Sequence, residues 1–150
     1  MQQTCGLQRI AMAACATVLC IAACAKSDVE EAVRTRVALL QAAIDARDAG
    51  DVQALLAEDF VGNDGLDRRG ARQLAAGVFL RHRDVSATLG PVQVELRGRE
   101  DAIARFTVLA AGGSGGVLPE RGQLYEVETG WRLMDGEWQL LNASWEPQLK

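Results

Sequence analysis

Three side chains of this sequence have the chemistry of acid–base catalysis. His82 is the one histidine, and an imidazole titrates near neutrality without help from its surroundings. Asp59 would serve as a base if an apolar wall raised its pKa, and Tyr125, the one tyrosine, would donate a hydrogen bond to a ligand oxygen. Each also has an ordinary structural interpretation, as a solvated helix-end histidine, a turn carboxylate and a core phenol. We favour that interpretation for His82 and Asp59, because catalysis needs a placed partner and the sequence shows none nearby.

Two further polar side chains have alternative interpretations. Asp64 precedes Gly65 in a turn-rich segment, where an aspartate is an ordinary turn residue and only secondarily a candidate base. Arg105 lies inside an apolar strand pattern. We expect it to pair across the sheet with Glu126 or Glu128, and an anion site in a pocket is the alternative.

Cys24 has chemistry of a different kind. It ends an uncharged apolar run, Ile10 to Ala23, that is shorter than the roughly 20 residues of a membrane-spanning helix. We therefore predict a cleaved signal peptide over residues 1–23. The Ile21-Ala22-Ala23-Cys24 ending resembles a bacterial lipobox, and this resemblance implies that Cys24 becomes the lipidated first residue, carrying palmitate or a similar acyl chain. An ordinary signal peptide is the alternative.

The same resemblance predicts the location of the mature chain. Residues 24–27 would form a short lipidated tether, which would hold the following domain close to the bacterial cell envelope membrane. Ala25, rather than an aspartate, follows Cys24. In the lipoproteins that this sequence resembles, that residue favours the outer membrane, facing the periplasm. All four cysteines lie in the first 24 residues, so we expect no disulfide in the body of the protein.

Charge and ligand composition limit the partners. Removal of the segment before Cys24 removes only Arg9 of the 16 basic residues, and all 20 acidic residues remain. We expect such an acidic body not to bind nucleic acid and not to dock electrostatically on anionic lipid, so that the acyl chains alone would hold it. With one histidine and no cysteine after Cys24, we also predict no metal site and no cofactor.

The first half of the sequence predicts three helices. Ser27 to Glu30 reads as a capping box that would begin the first helix. Its apolar stripe has helical spacing, and the stripe comprises Val29, Val33, Val37, Leu40 and Ile44. Gly50 would end this helix, and Asp51 would cap a second. Asp67 would cap a third helix that runs to about Arg83.

The second half predicts about four antiparallel strands. Residues alternate between apolar and polar around 92–97, 102–110 and 125–133, and Asp135-Gly136 is a tight hairpin signal. The last segment, Trp138 to Trp145, is apolar on both faces, so its pattern does not orient it. The fold class is α+β, with three N-terminal helices packed on one face of a sheet.

Two segments resemble the NTF2-like superfamily, in particular its SnoaL-like and DUF4440-like domains. They are Asp48 to Phe60, DAGDVQALLAEDF, and Trp131 to Leu141, WRLMDGEWQLL. The resemblance covers residues 28–146. It implies a cone, in which a curved antiparallel sheet wraps around the helices and encloses a pocket. Superfamily members include dehydratases, isomerases, cyclases and non-catalytic binding domains, so the fold does not select an activity.

The resemblance also selects ligand-binding candidates. They are Phe79 on the third helix, Tyr125 and Trp131 on one strand face, and Asn142 on the last strand. Many related sequences carry a histidine in the stretch that corresponds to 142–145. Here the polar residues are Asn142 and Ser144, which weakens an acid–base mechanism.

We therefore favour a non-catalytic envelope lipoprotein that binds a small apolar ligand or a protein partner. A lyase or isomerase is the first alternative, with His82 or Asp59 as base and Tyr125 as donor. The second is a dimerisation or assembly module that pairs through its sheet.

Overall fold

The computed structural model describes the backbone of residues 8–113 and 122–148, and the side chains of residues 25–111 and 122–148. The signal peptide predicted over residues 1–23 and the lipidation of Cys24 fall outside the described side chains and stay predictions. The chain divides into two compact units, Met1–Glu31 and Ala32–Lys150. The second unit contains the whole sheet.

Ten elements follow one another along the described residues. The helices are α1 (Gln8–Asp45), α2 (Ala49–Ala54) and α3 (Arg68–Arg81), and a short 3-10 turn spans Asn63–Gly65. The strands are β1 (Leu56–Val61), β2 (Asp84–Leu89), β3 (Gln93–Arg97), β4 (Asp101–Gly113), β5 (Gln123–Met134) and β6 (Glu137–Pro147). The three predicted helices and the α+β class are confirmed.

Helix α1 begins earlier than the capping box predicts. It starts at Gln8, so Ser27 lies inside a helix and does not cap one, and the tether residues 25–27 are helical. The apolar run before Cys24 is rich in alanine, which favours helix as strongly as any residue. Among the described residues, no helix is long and apolar enough to cross a membrane.

The boundary between α1 and α2 also differs from the prediction. Helix α1 ends at Asp45, and Arg47 adopts a left-handed backbone conformation with φ 58°. Asp48, not Asp51, caps α2, because its carboxylate accepts hydrogen bonds from the amides of Gly50 and Asp51 at 2.8 and 2.9 Å. Gly50 therefore lies within α2. The prediction that Asp67 caps α3 is confirmed, with a bond of 2.6 Å from the amide of Gly70.

The sheet has six strands rather than about four, and it is mixed rather than wholly antiparallel. Its order is β1-β6-β5-β4-β2, and β3 also pairs with β4. The sequence analysis missed β1, which pairs in parallel with β6. It also missed β2, which pairs with the second half of β4 while β3 pairs with the first half. The 13 residues of β4 thus have two successive partners on the same edge.

Two local features determine which residues of β5 and β6 face the core. Asp135 and Gly136 both have positive φ, 52° and 82°, as the predicted tight hairpin requires. Further along, Gly130 pairs with Asn142 and Trp131 pairs with Leu140, so Leu141 is a bulge. Because one residue is skipped, Leu140 and Ala143 lie on the same inner face of β6.

The apolar core of the second unit lies between the helices and the inner face of the sheet. Val33 and Val37 of α1 are 0% and 1% exposed, which confirms the predicted stripe. On the sheet, Trp131 and Thr129 are each 1% exposed. The Trp131 indole N–H donates to the Thr129 hydroxyl at 2.9 Å, and this hydroxyl donates to the carbonyl of Ala104 at 3.1 Å. The buried polar groups of the core are therefore paired with one another.

Candidate functional site

An apolar pocket lies between α1, α3 and the inner face of the sheet. Its volume is about 410 Å³, and 25 residues line it. Helix α1 supplies Val37, Leu40, Gln41 and Ile44, α3 supplies its apolar residues between Ala71 and Phe79, and strands β1, β2, β4, β5 and β6 supply inward-facing residues. All of these residues belong to the second unit. The volume falls within the range of ligand pockets, at its lower end.

Three of the described lining residues carry polar side chains. Thr129 uses its hydroxyl within the core, as described above. The side-chain amide of Gln41 donates to the carbonyl of Ala87 at 2.7 Å, which fixes the amide against β2. The Tyr125 hydroxyl makes no hydrogen bond to any residue the structure describes. Of these three side chains, Tyr125 has a hydroxyl and Gln41 a carbonyl oxygen that no other described residue engages.

Of the four predicted ligand-binding residues, the structure places two on the pocket. Tyr125 and Phe79 line it, from β5 and α3 respectively. Trp131 is buried in the core and is not among the lining residues. Asn142 is exposed, because the bulge at Leu141 turns it to the outer face of the sheet. A Cβ on Gly130 would lie 2.6 Å from the Asn142 amide nitrogen, so this side chain covers the glycine on that face.

The catalytic candidates do not converge. Asp59 is exposed on β1, on the side away from the pocket residue Phe60, and its carboxylate lies 3.8 Å from the guanidinium of Arg132. His82 follows the last residue of α3 and does not line the pocket. Its Nδ1 is buried without a hydrogen bond to the described residues. Of His82, Asp59 and Tyr125, only Tyr125 reaches the described lining.

Trp145, Leu66 and Leu74 were not predicted to form a site, and they lie at the edge of the pocket. All three also line a second surface cavity beside the 3-10 turn, which includes Asp64. Leu74 is 51% exposed, so the pocket reaches the surface at this point. Asn63 fixes the edge by pairing with Trp145, donating to its carbonyl at 2.8 Å and accepting from its amide at 3.3 Å.

The outer face of the sheet carries an ion-pair network. Arg105 pairs with Glu128 at 2.7 Å, which confirms the predicted cross-strand pair, and with Glu95 at 3.0 Å. The hydrogen bond from Arg105, followed by the charge of Arg97, lowers the pKa of Glu95 below its ordinary value of 4.5. The two glutamates raise the pKa of Arg105. This charged centre counts against dimerisation through an apolar sheet face, and a homodimer stays a prediction.

The described residues contain no cluster of three or more His, Cys, Asp or Glu side chains that could hold a metal ion.

The fold is NTF2-like, as the sequence predicted. A hexachlorocyclohexane dehydrochlorinase, LinA-type3 from Novosphingobium barchaimii, superposes with a TM-score of 0.70 over 83% of this chain and 89% of its own, at 15% identity. An NTF2-like superfamily protein from Salmonella enterica gives 0.72 over 83% and 94%, at 13% identity. A proposed dehydratase of the NTF2-like family from Streptomyces avermitilis gives 0.71 over 83% and 99%, at 17% identity. No protein-family profile and no curated protein matches the sequence. The likeness thus establishes the fold and leaves the activity open.

Proposed function

We propose that this protein binds a small apolar molecule in the pocket between α1, α3 and the sheet. The observation that carries the proposal is the composition of the wall: among its 25 described residues, only Gln41, Thr129 and Tyr125 are polar. Transfer of an apolar ligand from water into such a site is favourable in proportion to the area buried. The two available oxygens would orient a ligand with a single polar group, such as an alcohol, a ketone or a short-chain ester.

Binding without catalysis fits the site better than a lyase or isomerase. A general base must come within hydrogen-bond reach of the proton that it removes. Neither Asp59 nor His82 is among the residues that line the pocket. Tyr125 alone would supply a hydrogen-bond donor, which polarises a carbonyl but removes no proton from carbon.

We further propose that the mature chain is a lipoprotein of the bacterial envelope, anchored through Cys24 to the outer membrane and facing the periplasm. The support is the Ile21-Ala22-Ala23-Cys24 sequence at the end of the apolar run. A single acyl chain binds a bilayer only marginally, whereas several chains anchor a protein firmly. An apolar-ligand protein held there would work beside a lipid phase in which its ligands dissolve.

Fluorescence of Trp145 provides the test of ligand binding. The chain from Ala25 onward, titrated with the neutral dye N-phenyl-1-naphthylamine, should show quenched tryptophan emission and a rise in dye emission. Of the three tryptophans only Trp145 lines the pocket, so Trp145→Phe should keep the dye signal and lose more of the quenching than Trp138→Phe loses. Dye binding that leaves Trp145 unaffected would place the ligand elsewhere. Turnover of a hydroxy-ketone library that is lost in Tyr125→Phe would show that the site is catalytic.

Labelling with radioactive palmitate tests the anchor. The wild-type chain expressed in a bacterium should incorporate label, and Cys24→Ser should not. Cys20→Ser is the matched control, because it removes a thiol from the same segment but leaves the lipobox ending intact. Incorporation that persists in Cys24→Ser would refute the anchor and would leave the pocket proposal unaffected.

A further inference from the structure

Helix α3 and the two residues that follow it form a basic segment on an acidic protein. Residues 68–83 contain five of the 16 basic residues and none of the 20 acidic ones. The net charge of −4 for the whole chain does not reveal this segment, because the acidic residues elsewhere in the sequence outweigh its positive charge. The expectation that the protein would not dock on anionic lipid was drawn from that average.

The arginines of this segment have different environments. Arg68 turns toward β1, where it pairs with Glu58 at 2.9 Å and donates to the carbonyl of Leu56 at 3.1 Å. Arg69, Arg72 and Arg81 are exposed and make no ion pair or hydrogen bond through their side chains with any residue the structure describes. Their guanidinium groups are therefore available to an anionic partner.

An apolar side chain lies among these charges. Leu80 is 85% exposed, the largest exposure among the exposed large apolar residues of the described chain. At 3.6 residues per turn, Arg69, Arg72, Leu80 and Arg81 fall within one half of the helix circumference, with Leu80 between Arg72 and Arg81. We call these four residues the basic face of α3.

The opposite side of α3 lines the pocket. Ala75, Val78 and Phe79 contact the cavity, and Leu74 lies at the surface edge where the cavity reaches solvent. One short helix thus carries a cationic, leucine-bearing surface on one side and the pocket wall on the other. A partner bound to the basic face would lie next to the pocket edge at Leu74.

We propose that the basic face of α3 docks on an anionic phospholipid bilayer, so that the pocket takes its apolar ligand from the lipid phase. The statement about ligand uptake rests on the proposed function, and docking itself does not. Exposed guanidinium groups complement phosphate headgroups, and each basic residue near an anionic surface strengthens binding severalfold. Leu80 would enter the headgroup and acyl boundary while its arginine neighbours stay at the headgroups. The acidic remainder of the chain would be repelled from the same surface, which would orient the protein with α3 toward the lipid.

A bilayer fits this surface better than a nucleic acid does. A phosphate backbone would satisfy the arginines, but contacts to phosphate make no use of a leucine that protrudes among them. The boundary region of a membrane accommodates both groups side by side. Binding to nucleic acid is therefore the alternative that the experiment must separate.

Vesicle flotation tests the docking with the full chain carrying Cys24→Ser, so that no acyl chain dominates. Partition is measured into phosphatidylcholine vesicles with and without phosphatidylglycerol, and the preference is the ratio of the two partition coefficients. Any contribution of the N-terminal apolar segment is common to all variants and cancels when their preferences are compared. We expect Arg72→Gln/Arg81→Gln to reduce the preference by roughly 25-fold, about fivefold for each arginine.

The matched control is Arg97→Gln/Arg99→Gln, which removes the same charge from the end of β3 and the turn that follows it. It should change the preference by less than about twofold, because that turn is not part of the basic face. Equal reductions in both double variants, or no preference in the parent chain, would overturn the proposal. So would oligonucleotide binding that is tighter than vesicle binding and is lost in Arg72→Gln/Arg81→Gln.

A second pair of variants tests the apolar part of the surface. Leu80→Ser should weaken partition into anionic vesicles, whereas Leu39→Ser, at a half-exposed leucine of α1, should not. An unchanged partition for Leu80→Ser would overturn the insertion of this residue. Far-UV circular dichroism would verify that each variant is folded. Dye binding measured without vesicles separates the docking proposal from the pocket proposal. Arg72→Gln/Arg81→Gln should still bind the dye. If the parent chain docks on vesicles but binds no dye, only the pocket proposal is refuted.

Discussion

Filling the pocket should stabilise the protein and abolish its binding activity. Ala143 lies on the inner face of β6, opposite Thr129, and its side chain lines the cavity. In Ala143→Leu, three added carbon atoms would occupy space that solvent or a ligand otherwise fills. At about 0.8 kcal/mol for each buried methylene, the gain is roughly 2.4 kcal/mol. The ordered leucine rotamer costs about 0.5–1 kcal/mol, which leaves a net stabilisation of about 1.5–2 kcal/mol.

Urea unfolding and thermal melting would measure this effect, and the dye titration would measure binding in the same samples. A stabilisation of this size raises the melting temperature by several degrees in a domain of roughly this length. The control is Ala111→Leu, which makes the same change on β4 at a position next to the lining residue Ala110 and outside the pocket lining. It should leave both stability and dye binding nearly unchanged.

The sign of the effect decides the interpretation. If the cavity were closed and tightly packed in solution, leucine at 143 would overpack it and destabilise the protein by about 1–3 kcal/mol. Destabilisation of that size would refute the pocket. Stabilisation with dye affinity intact would show that the cavity is real and that the ligand binds elsewhere.

Three further predictions concern the groups that shape the site. Thr129→Val should destabilise the protein by about 1–3 kcal/mol in urea unfolding, because it leaves the buried indole N–H of Trp131 unpaired; Trp131→Phe should then cost less in the Thr129→Val background than in the wild type. Gly130→Ala should change the unfolding free energy by less than about 1 kcal/mol, because the Asn142 amide that its Cβ would meet at 2.6 Å ends an exposed side chain that can turn away, and a larger loss would show that this side chain is held in place. The ion pairs lower the pKa of Glu95, so its stabilising effect is complete above its unfolded pKa and is lost as pH falls through its lower folded pKa. The difference in unfolding free energy between wild type and Glu95→Gln should therefore vanish in acid; a difference that grows as pH falls would contradict the assignment.

Local patterns predicted the elements whose signals are themselves local. Alternation identified β3 to β5, and Asp67 and the Asp135-Gly136 pair marked a helix start and a hairpin at the correct residues. Strand β1 was missed because its partner is distant and parallel, so that six residues beginning at Leu56 look like the end of a helix. Strand β2 was missed because it pairs only with the half of β4 that extends beyond the pairing with β3.

Local patterns also predicted part of the candidate site. Tyr125 and Phe79 line the pocket as predicted, because the periodicity of their strand and helix is regular up to those positions. Asn142 does not line the pocket, because the bulge at Leu141 exchanges the faces of the residues that follow it in β6. No residue type in the sequence identifies such a bulge. Gln41 could have been found, since it lies four residues after the buried Val37 on the same helix face.

The parallel pairing of β1 with β6 has a consequence for folding. Leu56 pairs with Leu140, and the amide of Leu140 donates to the carbonyl of Leu55 at 2.9 Å, so a strand from the first half of the chain depends on the last one. Contacts between residues so distant in sequence form late, since loop closure must precede them. During synthesis, the chain therefore cannot complete its sheet until its final strand has been released. Truncation before Glu137 would leave the edges of β1 and β5 both unpaired, and such edges promote aggregation.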